Sequence, residues 1–165
     1  MGAKTLISVE EYLRTPYDNP EPDFVDGEVV PRTLPNTFHS RALSALFQVF
    51  FLQTRGVLSL YPELRIQVTP ERYRIVDLAV FDREPQMSVP ELPPLIVIEV
   101  LSPDDSYAEL MRRFADYAAI GIPHIWLVDP IDKQLSIYHD KSLTASARLE
   151  VPAFGVSICP ADIWS

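Results

Sequence analysis

The chain has 165 residues, 47% apolar and 22% charged, ordinary proportions for one globular domain with a substantial core. No apolar run approaches the length of a membrane span, and the start, MGAKTLISVEEYL, has no signal-peptide apolar segment. A lone cysteine, Cys159, excludes an internal disulfide and fits a reducing cytoplasm, while a net charge of −9 argues against nonspecific nucleic-acid binding.

Ser8-Val9-Glu10-Glu11 is a capping box that starts a short helix through about Leu13, stopped by Pro16. Phe24 to Val30 reads as a strand pair around Asp26-Gly27, a hairpin dipeptide. Pro31 to Pro35 is a loop. Thr37 can cap a long helix from about Phe38 to Arg55, closed by Gly56. Leu43, Leu46, Phe47, Phe50 and Phe51 recur along it at helical spacing and point to the core.

Val57 to Tyr61 and Leu64 to Thr69 read as two strands around Pro62, and Ile75 to Phe81 as a third. The proline-rich stretch 83–94 is a surface connection. Leu95 to Leu101 is a short apolar run between turn formers, the pattern of a strand buried on both faces.

Asp104 or Asp105 can cap a helix running to about Ile120, where Gly121 and Pro123 end it. Its apolar arc holds Tyr107, Leu110, Met111, Phe114, Tyr117 and Ala118, with Arg113 at the edge beside Tyr117. Ile125 to Val128 is a further buried strand and Leu135 to His139 an outer one. The tail from Leu149 is strand and loop, and Pro160 can begin a last turn. This order predicts an α/β fold of the α+β type, a mixed sheet flanked by helices.

Two acids interrupt apolar strands, Asp77 in IVDLAVF and Glu99 in PLIVIEVLSP. Ionised carboxylates in an apolar interior are costly unless paired, hydrogen-bonded or bound to a metal. Alternation puts Asp77 on one face with Ile75, Ala79 and Phe81, and Glu99 with Leu95, Val97 and Leu101. If the strands are neighbours and these faces coincide, the carboxylates meet, and hard oxygen ligands of this kind suit Mg²⁺ or Mn²⁺. Residues 32–83 hold seven arginines against four acids and form the only basic segment of the chain. Asp23 and Asp26 read as turn residues, and Asp129, before Pro130, as a turn former.

VDGEVV, HSRAL at a helix start, IVDLAVF, IEVLSPDD and DYAAIGIPHIWLVDP together resemble the bacterial restriction-endonuclease-like proteins of the PD-(D/E)XK nuclease superfamily. The likeness runs from about Ser8 to Trp164 and implies a single restriction-endonuclease-like domain over 1–165. It implies Mg²⁺-dependent (or Mn²⁺-dependent) hydrolysis of DNA, with Asp77 and Glu99 as the metal ligands. Glu28 matches an acid of the family pattern and would assist directly or through water. His39, opening the long helix, matches a further family position.

The superfamily's usual lysine would fall on Leu101, and the family's alternative lysine position on the following helix holds Arg113. Arginine keeps the charge and can contact the scissile phosphate, yet it does not readily act as a base. Cutting both strands of a duplex would favour a two-fold homodimer. The second reading is a module of the same fold with reduced catalysis that binds nucleic acid or a protein.

Overall fold

Ser8 accepts a hydrogen bond from the Glu11 backbone and starts α1, Val9–Arg14. The computed structural model describes residues 5–164. The Asp26-Gly27 turn, with both residues at positive φ, joins β1 (Asp23–Val25) to β2 (Glu28–Val30). Asn36, rather than Thr37, caps α2 (Thr37–Thr54): its Oδ1 accepts from the His39 backbone N–H at 3.0 Å. Ser106, rather than Asp104 or Asp105, caps α3 (Tyr107–Ala119). In both cases two adjacent capping types compete, and the residue left extended just before the first helical turn becomes the cap.

Where two strands were predicted around Pro62, one runs through, β3 (Ser59–Thr69). Proline has no N–H for a ladder, but β3 pairs with β4 (Arg72–Phe81) alone, so Pro62 sits in an edge strand that tolerates it. Antiparallel to β4 lies β5 (Ile96–Val100), and parallel to β5 lies β6 (His124–Asp129), reached through α3. β7 (Gln134–His139) and an unpredicted β8 (Ser142–Ser146) complete the sheet. The strand order is β2-β1-β4-β5-β6-β7-β8, with β3 beside β4. The tail forms a separate hairpin of β9 (Leu149–Val151) and β10 (Val156–Ile158), followed by α4 (Pro160–Ile163). This is the predicted mixed sheet between helices.

Each face of the sheet has its own core. Ala42, Leu46 and Phe50 of α2 pack with the tail hairpin over Leu78, Val80, Ile98 and Trp126. Leu110, Phe114 and Tyr117 of α3 pack over Val76, Ala79, Val97 and Leu127. Val76 and Leu78 therefore face opposite cores, although they are two residues apart. The predicted alternation along β4 breaks at the residue between them, Asp77.

The break coincides with a gap in the sheet. β3 occupies one edge of β4 along most of its length. The other edge is shared, by β1 at Arg72 and Tyr73 and by β5 at Leu78 to Val80. From residue 74 to 77 that edge has no strand partner among the described residues.

Candidate active site

Backbone groups inside a protein need hydrogen-bond partners, and in the gap side chains supply them. The Ile75 N–H donates to Asp23 Oδ1 at 2.9 Å, and the Ile75 carbonyl accepts from Arg113 Nη2 at 2.5 Å. Asp23 Oδ2 accepts from Arg113 Nη1 at 2.6 Å and from Arg74 Nη1 at 3.0 Å. Arg74 also donates to Asp116 and Glu109, which ties α3 to β4. Asp23 is thus no turn residue. It is a buried anion at the start of β1 that stands in for a missing stretch of strand.

Asp77 sits at the end of the gap. Its Oδ1 accepts from Arg32 Nη2 at 2.6 Å, and its Oδ2 from the Val100 N–H at 2.8 Å and His39 Nε2 at 3.2 Å. Glu99 Oε1 accepts from Arg113 Nη2 at 2.7 Å and from the Tyr117 hydroxyl at 2.5 Å. The β4–β5 register pairs Leu78 with Ile98, and one further step sets Asp77 opposite Glu99. On the other side of β4, the pairs Pro62–Leu78 and Leu64–Val76 bracket Glu63 opposite Asp77. Three carboxylates on three adjacent strands, Glu63, Asp77 and Glu99, therefore line one cavity. Glu63 adopts φ +49°, uncommon for a residue with a Cβ, and its Oε2 accepts from Arg32 Nη1 at 2.5 Å.

These groups open onto a cavity of about 230 Å³. Its wall carries the carboxylates of Asp23, Glu63, Asp77, Glu99, Asp104, Asp105 and Glu109 against the guanidinium groups of Arg32 and Arg113, and no lysine among the described residues. Burial pushes the Glu99 carboxyl up to about 7, with Arg113 opposing the rise and Asp77 adding to it. Burial acts on Asp77 in the same sense, but the His39 hydrogen bond, the Arg32 charge and the Val100 N–H outweigh it and hold Asp77 down at about 2. Burial works to lower the His39 pKa, yet its bond to Asp77 and that carboxylate's charge raise it above the usual value. His39 Nδ1 is buried with no hydrogen-bond partner among the described residues.

The structure brings four of the five sequence candidates or their backbones to this cavity. Asp77, Glu99, Arg113 and His39 line it. Glu28 lies on β2 opposite Val25, outside the described lining. Arg113 meets Glu99, but its guanidinium is engaged three ways inside the protein rather than presented to solvent. Arg32, Glu63 and Asp23 were not singled out for this site. Glu63 carried one usable signal, its position after a proline inside a strand pattern.

Asp77 and Glu99 fit a divalent cation in donor chemistry: two facing carboxylates in a cavity with excess negative charge. Among the described residues no group of three His, Cys, Asp or Glu side chains is arranged to hold a metal. Mg²⁺ and Mn²⁺ take one or two carboxylates and complete their shell with water or phosphate oxygens. No described helix is long and apolar enough to cross a membrane.

A family model, Uma2, described as "Putative restriction endonuclease", matches residues 9–159. No curated protein matches the chain. Among solved structures, the chain is similar to a protein of Anabaena variabilis described as "a putative nuclease belonging to DUF820". The TM-score is 0.81 at 22% identity, over 96% of this chain and 97% of the other. At that identity the likeness shows a common fold.

Proposed function

The chain belongs to the Uma2 family of restriction-endonuclease-like proteins, and from that premise we propose a divalent-metal-dependent nuclease that hydrolyses DNA phosphodiester bonds. The observation that carries the reading is the pair Asp77 and Glu99, facing each other across β4 and β5 in a strongly acidic cavity. These two carboxylates would hold Mg²⁺ or Mn²⁺. The ion, when bound, supplies an activated water and charge neutralisation of the phosphate and leaving oxygen.

The protein's own groups set up that pocket. The Val100 N–H and His39 fix Asp77 Oδ2, so this carboxylate stays ionised and oriented. Arg113 and Tyr117 both hold Glu99 Oε1, which leaves Oε2 as the oxygen for the ion. Arg113 thus positions Glu99, a role that its three internal bonds favour over contact with the scissile phosphate. Glu28, on β2 outside the cavity lining, would assist through an intervening water. Cutting both strands of a duplex would engage two copies related by a two-fold axis.

The second reading is a metal-binding member of the fold with catalysis lost. Its support is the cavity wall without a lysine, with Leu101 and Arg113 at the positions where lysine is usual. Crystals soaked in Mn²⁺ test the shared premise. Anomalous scattering between Asp77 and Glu99 is the expected result. Ions found only elsewhere on the protein would contradict both readings.

A further inference from the structure

We propose that Arg32 is the phosphate-binding residue of this site, kept out of use by Asp77 and Glu63 until a divalent cation replaces it on Asp77. The proposal rests on the metal-nuclease reading above.

Arg32 lies in the loop between β2 and α2, and its guanidinium spans two carboxylates. Nη2 donates to Asp77 Oδ1 at 2.6 Å and Nη1 to Glu63 Oε2 at 2.5 Å. Its side chain is 10% exposed, and that of Glu63 is 36% exposed. The two anions therefore differ. Asp77 is buried and is the metal ligand, whereas Glu63 stands toward the mouth of the cavity. Beside Arg32, the Thr33 hydroxyl donates to Asp105 Oδ1 at 2.7 Å, which ties the loop to the segment after β5. The backbone is anchored, so a change of partner needs only side-chain rotation.

Charge explains why such a device is useful. With both guanidinium groups committed to carboxylates, the metal-free cavity presents net negative charge, and a DNA phosphate is repelled. A cation on Asp77 takes over the role of Arg32 Nη2 there. The freed edge of the fork can then receive a phosphate oxygen, while Glu63 keeps the side chain in the cavity. Arginine suits this because its planar fork donates along two edges at once. Glu63, whose backbone is left-handed, holds Arg32 Nη1 from the β3 side. Arg113 cannot serve, since its fork is spent on Asp23, Glu99 and the Ile75 carbonyl.

The test compares wild type with Arg32→Ala and Arg32→Lys. Mn²⁺ binding is measured by calorimetry, and binding of a short labelled DNA duplex by anisotropy with and without saturating Mn²⁺. Arg32→Ala should bind Mn²⁺ about tenfold more tightly and, in saturating Mn²⁺, DNA about tenfold more weakly. Arg32→Lys, which keeps the charge without the fork, should fall between wild type and Arg32→Ala in both. Loss of any positive charge beside the site would move the two affinities in these directions, so Arg32→Lys, which keeps the charge, separates the fork's contribution from that of charge alone. Melting in EDTA checks that each variant folds, and if Arg32→Ala does not, Arg32→Lys alone decides. Unchanged Mn²⁺ affinity, or unchanged DNA affinity in Mn²⁺, overturns the proposal and leaves the metal site standing. A wild type that binds no Mn²⁺ removes the metal reading, and the proposal with it.

Discussion

Asp77 and Glu99 oppose each other on adjacent strands, yet their carboxyls are pushed apart, Asp77 down to about 2 and Glu99 up to about 7. Burial penalises both anions, but among the described residues Asp77 has donors at both oxygens, whereas Glu99 has donors at only one. Two acids held in different protonation states is a common arrangement at working sites.

This split fixes the pH dependence of the metal-free protein. Arg113, Tyr117, Asp77 and Arg32 all act on Glu99. Its folded pKa lies above the ordinary 4.5, so its contribution to stability is full below that value and is lost as pH rises through about 7. His39, also raised, acts in the same sense. Asp77 acts oppositely, and its contribution is lost as pH falls toward about 2. Stability in EDTA should therefore peak in weak acid and decline from pH 5 to pH 8, by about 2–4 kcal/mol for Glu99 alone, which is read as a falling melting temperature. Glu99→Gln should flatten most of that decline. A wild type that gains stability over this range would contradict the assignment.

Mn²⁺ should reverse the trend. Glu99 must be ionised to bind the ion, so affinity should rise between pH 6 and pH 8 as its proton is given up. Calorimetry in buffers of different ionisation enthalpy would read the released proton directly. An affinity independent of pH would place the ion away from Glu99.

Asp23→Asn should destabilise the fold by about 3–5 kcal/mol, because it leaves Arg74 and Arg113 buried with too little negative charge. Asp26→Ala, at the exposed hairpin next to it, should change stability by less than about 1 kcal/mol. Urea unfolding of the two variants measures the contrast. Equal effects would mean that Asp23 does not carry the gap in the sheet.

Arg113→Lys should lower both stability and any cleavage. A single ammonium cannot reach Asp23, Glu99 and the Ile75 carbonyl in the geometry of a guanidinium fork. Denaturation midpoints and DNA cleavage, read together, test this. Full activity in a stable Arg113→Lys protein would show that the fork is dispensable.

Asp77 and Glu99 were legible because each is a lone acid in an apolar strand, a conflict visible without coordinates. Their meeting was not, since it depends on β4 and β5 pairing in one register. Asp23 resembled a turn former because its burial comes from β4 and α3, far along the chain. Arg32 had no pattern of its own: it sits in a proline-flanked loop and joins the site only through the closed fold. The merged β3 and the extra β8 were missed for a related reason. Both strands are largely half-exposed or exposed, so their alternation is weak.

The most direct measurement is cleavage of DNA by wild type and Glu99→Gln at matched Mn²⁺ concentration, with both proteins shown to be folded. Wild type should nick or cut the DNA, and Glu99→Gln should be slower by about 100-fold or more, since it keeps the side chain's shape and removes its charge. Equal cleavage by the two proteins, or none by wild type in the presence of Mn²⁺, would contradict a metal-dependent nuclease built on Asp77 and Glu99.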